Sequence, residues 1–140
     1  MALNVHGYMR RTGDIDLLVR TTPENNARWV RALSRLPDGG SREAIGELDP
    51  FPRDAETGQL GVIRILDEYV VDVLPVACGI TYDEVESDVI VAELDDGTPV
   101  RVLSLPALLR TKQTLRPKDA ADRLAIEAMI RAEKREREAS

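Results

Sequence analysis

The apolar positions of the chain fall into short blocks whose spacing changes from block to block. Ile15, Leu17, Leu18 and Val19 are branched and apolar around a single Asp16, between Gly13 and the Thr21-Thr22-Pro23 stop. That block reads as a buried strand. Directly after it Thr22 suits an N-cap, Pro23 the first helical position and Glu24 the positive end of the helix. Trp29, Val30, Leu33 and Leu36 then recur at helical spacing up to Pro37-Asp38-Gly39-Gly40, so a strand leads straight into a helix. Residues 41–58 carry Gly46, Pro50, Pro52 and Gly58 and read as a loop with one helical turn at 42–47.

Leu60–Leu66 and Tyr69–Leu74 read as two strands separated only by Asp67-Glu68. A two-residue connection implies an antiparallel hairpin, although Asp-Glu lacks the glycine of the favoured turns. Thr81–Ser87 predicts a short acidic helix, and Val89–Leu94 with Val100–Leu103 flank Asp95-Asp96-Gly97-Thr98, a second hairpin signal. Ser104 caps a helix with Pro106 in its first turn, expected to run to about Leu115. Beyond Pro117 a last helix runs from about Lys118 into the 130s, with Ala121, Leu124, Ala125, Ala128 and Met129 as its apolar stripe. Arg131–Ser140 carries charges of both signs and reads as a frayed, solvated helix end. The pattern predicts an α/β (α+β) fold: a mixed sheet with antiparallel hairpins, flanked by helices and closed by a C-terminal helix pair. One domain is expected over residues 1–130, followed by a charged helical tail at 131–140.

Composition narrows the function classes. The chain is long enough, at 140 residues, for one sizeable core, and with one Phe, one Trp and three Tyr that core must rest on Leu, Val, Ile and Ala. A formal net charge of −6 argues against a protein that coats DNA, because phosphate binding needs a clustered basic surface. A local basic patch is nevertheless visible near residues 110–118. The lone Cys78, set in Val-Ala-Cys-Gly, excludes an intramolecular disulfide and reads as a small buried residue. No apolar run reaches the ~20 residues that span a bilayer, and no long apolar core of a signal peptide stands at the N-terminus. The expected setting is the cytoplasm, without a membrane partner.

The informative chemistry is acidic. Along a strand, residues i and i+2 share a face, so Asp14 and Asp16 stand side by side at the start of the first strand. Two like charges held together call for a cation, and Mg²⁺ binds through one or two carboxylates plus substrate phosphates. Asp72 interrupts the apolar run Tyr69-Val70-Val71-Asp72-Val73-Leu74, where packing would not select a charge. If that strand lies beside the first, Asp72 completes a three-carboxylate cluster for one or two metals. The plainer alternative is that Asp14 and Asp16 sit in a turn, and that Asp72 faces solvent while Val71 and Val73 face inward.

The order of residues is more specific than any one of them. His6-Gly7, Arg10, Thr12, Asp14 and Asp16 in the run from Ala2 to Val19 resemble the core motif of minimal nucleotidyltransferases of the DNA polymerase β-like superfamily. These enzymes often occur in bacterial toxin–antitoxin or abortive-infection systems. Their pattern is a Gly-Gly or Gly-Ser turn, a short helix carrying His-Gly, then Arg-x-Thr-x-Asp-h-Asp with h apolar. Val71-Asp72-Val73-Leu74 is similar to the later strand that supplies the third carboxylate. Lys112 and Arg116-Pro117-Lys118-Asp119-Ala120-Ala121-Asp122 resemble the family's Lys…Arg-x-Lys-Asp-x-x-Asp segment. One departure stands out: in the family, a strand ending in Gly-Gly or Gly-Ser lies just before the position of Met1, and its backbone N–H groups hold phosphate. The expectation is therefore either a start upstream of Met1 or a shortened, impaired member.

The resemblance implies a nucleotidyltransferase-like fold and an ATP-binding or other NTP-binding transferase. It would move NMP to a hydroxyl of a protein, RNA or small-molecule acceptor, within a toxin–antitoxin pair whose cognate toxin or antitoxin is a further partner. It makes Asp14, Asp16 and Asp72 both catalytic and metal-binding, with Mg²⁺ (or Mn²⁺) as cofactor. Nucleotide contacts fall to Arg10, Thr12, Lys112, Arg116 and Lys118. His6 reads as a packed or capping residue, Asp119 as an i,i+4 surface partner of Arg123, and Asp122 as a residue that could orient Lys112 or Lys118. Two other functions stay open. One is a catalytically impaired binding or regulatory protein that keeps the fold; the other is a metal-dependent nuclease, ranked last because no strand pairs a Glu with a Lys two residues on.

Overall fold

The computed structural model describes His6 and residues 13–45, 50–114 and 116–140. It is a mixed α and β protein whose described residues group into two compact units. The first lies within Arg11–Asp83; the second lies within Glu84–Ser140 and includes His6.

In the first unit, β1 (Asp14–Leu18) runs parallel to β3 (Val70–Leu74), and β2 (Ile63–Leu66) pairs antiparallel with the other edge of β3. The sheet order is therefore β1-β3-β2. A parallel pair needs a crossover of a dozen or more residues, and the chain between β1 and β3 supplies it. Helix α1 (Pro23–Leu33) starts as expected, with the Thr22 hydroxyl accepting from the Asn25 N–H at 3.3 Å and Pro23 at the helix start. One sheet face presents Ile63, Ile65, Val71 and Val73, all buried, together with half-buried Ile15 and Leu17. Trp29 of α1 and Phe51 cover this face, their ring centroids 5.5 Å apart and tilted by 47°. Each such side chain contributes roughly 1.5–3 kcal/mol of burial. The indole N–H keeps a partner at Asn26 Oδ1, 3.0 Å away.

The helical turn expected at 42–47 is α2, Gly40–Ala44. Asp67, in the β2–β3 turn, accepts from the backbone N–H groups of Asp38, Gly40 and Glu68 at 2.8–2.9 Å and so ties α2 to the hairpin. Two boundaries differ from expectation. The strand expected from Leu60 begins only at Ile63, because Leu60 and Gly61 pair back with Arg53 and Pro52. The turn holds three residues, Asp67-Glu68-Tyr69, rather than two, with Leu66 opposite Val70. Farther on, Ala77 and Ile80 exchange two backbone hydrogen bonds of 2.9 Å around Cys78 (φ 48°) and Gly79 (φ 76°). Two positive φ values make this a type I′ turn. Its tip points outward, so Cys78 is exposed rather than buried.

The second unit begins near α3 (Tyr82–Val85), which crosses from the first. It contains the antiparallel hairpin of β4 (Val89–Glu93) and β5 (Pro99–Leu103), turned at Gly97 (φ 84°). Ser104 Oγ donates to Asp88 Oδ1 at 2.6 Å and accepts from the Ala107 N–H, capping α4 (Leu105–Arg110). That helix stops short of Leu115 in a tightened last turn: the N–H groups of Thr111 and Lys112 bond to Leu108 O and Leu109 O, and Thr111 Oγ1 and Gln113 Nε2 donate to the same two carbonyls. Arg123 then fixes the following connection by donating to the carbonyls of Lys112 and Thr114.

Helix α5 (Pro117–Ala139) continues through the expected tail, whose residues are exposed and linked by i,i+4 pairs at Lys134–Glu138 and Glu133–Arg137. Its buried residues are Asp119, Asp122 and Ile126, the last packing with Leu105 and Leu108 of α4. The expected stripe is thus rotated: Leu124 is 68% exposed, and Ala121 and Ala128 are exposed too. No helix among the described residues is long and apolar enough to cross a membrane.

Candidate functional site

The parallel register of β1 and β3 sets Asp16 opposite Asp72, and the antiparallel register of β2 and β3 sets Arg64 opposite the same Asp72. Asp16, Asp72 and Arg64 therefore form one row across the three strands. Asp14 lies two residues from Asp16 along β1, on the same face. Because Val71, Val73, Ile63 and Ile65 take the core face, this row occupies the other one. The i,i+2 expectation for Asp14 and Asp16 thus meets a third carboxylate.

Arg64 organises the row. Its Nε donates to Asp72 Oδ1 and its Nη2 to Asp72 Oδ2, both at 2.9 Å, and Nη2 also reaches Asp14 Oδ2 at 3.2 Å. A planar guanidinium matches a carboxylate in this two-pronged way. Asp72 is 9% exposed while the Arg64 side chain is 57% exposed, so the guanidinium covers the carboxylate from the solvent side. The hydrogen bond to Asp72, then the charges of Asp72 and Asp14, raise the Arg64 pKa above its ordinary value. Three carboxylates against one guanidinium leave the cluster with a net charge of −2. Sequence reasoning missed Arg64, since an isolated Arg in a strand carries no signal until the hairpin register is known.

The donor set is all oxygen and hard, which fits Mg²⁺ in kind. Among the described residues no group of three His, Cys, Asp or Glu side chains is arranged to hold a metal. A Mg²⁺ ion does not require three, because one or two carboxylates serve when water and phosphate complete the shell. Asp14 and Asp16 share one strand face, Asp14 also meeting Arg64 Nη2 at 3.2 Å and Asp16 standing exposed.

Of the other expected residues, Arg10 and Thr12 lie outside the described residues. Lys112, Arg116 and Lys118 belong to the second unit. Lys112, its side chain only 15% exposed, places Nζ 3.5 Å from Asp122 Oδ2 and 3.8 Å from Asp119 Oδ1, so Asp122 does face Lys112. Asp119 does not pair with Arg123 on the helix surface; it is buried. It accepts from Thr114 Oγ1 and from Arg116 Nε at 3.1 Å. Burial pushes the Asp119 carboxyl up, but the Thr114 and Arg116 hydrogen bonds and the Lys112 charge outweigh it and hold the pKa below its ordinary value. Lys118 is exposed. His6 Nε2 donates to the Leu103 carbonyl at 2.9 Å, a packing contact with the end of β5.

An open groove of about 740 Å³ in the first unit borders α1 and α2, lined by Asn26, Val30, Arg42, Phe51 and Arg53, and involves none of the three carboxylates. The chain matches no protein-family model and no curated protein sequence.

Proposed function

We propose that this chain is a metal-dependent nucleotidyltransferase of the minimal type. The observation that carries the reading is the β1–β3 register, which sets Asp16 opposite Asp72 with Asp14 on the same sheet face. In the proposed reaction an acceptor hydroxyl on a protein, RNA or small molecule attacks the α-phosphorus of an NTP. The new oxygen–phosphorus bond forms as the bond to the bridging oxygen breaks and pyrophosphate leaves.

Asp14 and Asp16 would hold Mg²⁺ (or Mn²⁺), which supplies charge neutralisation to the phosphates. Asp72 lies beside them in the row, where, once released by Arg64, it would complete a second metal site or accept the proton of the acceptor hydroxyl. The protein's contribution is positioning and electrostatics more than covalent chemistry. Resemblance alone assigns nucleotide contacts to Arg10, Thr12, Lys112, Arg116 and Lys118. A toxin–antitoxin context with a cognate partner, and a cytoplasmic setting in which NTPs are available, belong to the same reading.

A second reading has its own support. Arg64 already neutralises part of the acidic face, which suits a protein that keeps the fold to bind or regulate without turnover. Calorimetric titration of the four NTPs, with and without Mg²⁺, separates the two readings. Mg²⁺-dependent binding to the native chain that disappears in an Asp14→Asn/Asp16→Asn variant is the expected result. Absence of any NTP binding by the native chain would sink the enzymatic reading and favour the second.

A further inference from the structure

The acidic face carries its own cation. Arg64 enters from the strand opposite Asp72, engages both oxygens of that carboxylate and reaches on to Asp14 with the same Nη2. A guanidinium bridging two carboxylates that a metal would also use is a rival for them, since each cation lowers the attraction of the cluster for the other. The side chain is long and more than half exposed, and its hydrogen bonds to the described residues are those of its charged head. It can therefore leave one carboxylate without disturbing Ile63 and Ile65, which face the core on either side of it in β2.

We propose that Arg64 is an exchangeable counter-cation of this site. It occupies Asp72 and Asp14 while no metal is bound, and it passes to the phosphate oxygens of the nucleotide when the metal takes the carboxylates. The inference rests on the metal-nucleotide reading above and adds a mechanism of ordered loading to it. Guanidinium groups bind phosphate with the same two-pronged geometry that they use for carboxylate, so the exchange replaces like with like. Charge follows the same path: the cluster carries a net −2 with Arg64 in place, a divalent ion in its stead brings the three carboxylates to −1, and the freed guanidinium meets the incoming triphosphate. Metal alone should bind weakly because it must displace Arg64 without giving it a new partner. Metal and nucleotide together should bind with positive coupling, each raising the affinity of the other by the same factor.

The experiment measures Mn²⁺ alone by the paramagnetic resonance of the free ion, and Mg²⁺–ATP by calorimetry. Both are applied to the native chain, Arg64→Gln and Arg64→Lys. Loss of the guanidinium in Arg64→Gln is expected to tighten binding of Mn²⁺ alone by about tenfold at low salt and to weaken the nucleotide by a similar factor, abolishing the coupling. Arg64→Lys keeps the charge without the fork and should fall between. Thermal melts serve as an independent readout: Arg64→Gln should melt lower than the native chain in metal-free buffer and regain more stability on adding Mg²⁺. If the native chain binds Mn²⁺ and Arg64→Gln binds it equally or more weakly, Arg64 is a fixed organiser of the carboxylates and the exchange is overturned while the metal reading stands. If neither protein binds Mn²⁺ or Mg²⁺–ATP, the metal reading itself falls and the exchange falls with it.

Discussion

The carboxylate of Asp67 accepts the backbone N–H of Gly40 at 2.8 Å, across 27 residues of chain. The same carboxylate takes the N–H groups of Asp38 and Glu68, so one side chain closes the α2 loop against the β2–β3 turn. Burial pushes its pKa up, but the N–H groups of Asp38, Glu68 and Gly40 outweigh that effect and hold it below its ordinary value.

This depressed pKa has a defined consequence for acid stability. The contribution of Asp67 is fully present above the unfolded carboxylate pKa of about 3.9 and is lost as pH falls through the lower, folded-state value. Urea melts of the native chain and of Asp67→Asn should differ most at pH 6–7 and converge as the pH drops into the acid range. A difference that stays constant down to acid pH would show that the charge of Asp67 is not what holds the loop.

Gly40 itself is a tight packing point. A Cβ added there would lie 1.9 Å from the Leu66 carbonyl oxygen, which is backbone and cannot rotate away. Gly40→Ala should therefore destabilise the fold by about 1–3 kcal/mol, readable as a lower urea midpoint. Gly39 is different: its Cβ position is open but its φ is 70°, so Gly39→Ala should cost about 1–2 kcal/mol through the backbone alone.

The rotated face of α5 gives a paired test. Ile126 is fully buried against Leu105 and Leu108, whereas Leu124 is largely exposed. Ile126→Ala should cost about 2–5 kcal/mol and Leu124→Ala should stay within about 0.5 kcal/mol. Equal losses at both positions, measured by denaturant unfolding, would return the helix to the face expected from its Ala–Leu spacing.

Asp119 supplies a last test in the same helix. It is 1% exposed and accepts from Thr114 and Arg116, with Lys112 close by. Asp119→Ala leaves those donors facing a gap and should cost about 2–3 kcal/mol, while Asp119→Asn keeps an acceptor and should cost less. If the two variants unfold at the same denaturant concentration, the acceptor oxygens are not what the site requires.

The elements that were legible in the sequence are those marked by local chemistry. Thr22 before Pro23 and Ser104 before Pro106 announce two helix starts because capping depends on neighbours only three residues away. Gly97 announces the second hairpin because a positive φ is a property of a single residue. Asp14 and Asp16 share a face because strand alternation requires it. The α5 stripe was misread because alanines satisfy a helical period without needing burial. Two buried aspartates, meanwhile, occupy positions that a hydrophobicity pattern counts as solvent-facing.

What the sequence determined by itself is the kind of fold, the order of its elements and the identity of the acidic residues, since all of these follow from interactions between near neighbours. What only the tertiary structure decided is which residue meets those carboxylates. A two-residue turn between Leu66 and Tyr69 would have set Arg64 opposite Val71. The three-residue turn sets it opposite Asp72, and a one-residue slip exchanges the faces of an entire strand. The partner of Asp16 was likewise open until β1 came to lie parallel to β3, a pairing between segments more than fifty residues apart. Long-range register is a property of the assembled sheet, and in this protein it joins Asp14, Asp16, Asp72 and Arg64 into one cluster.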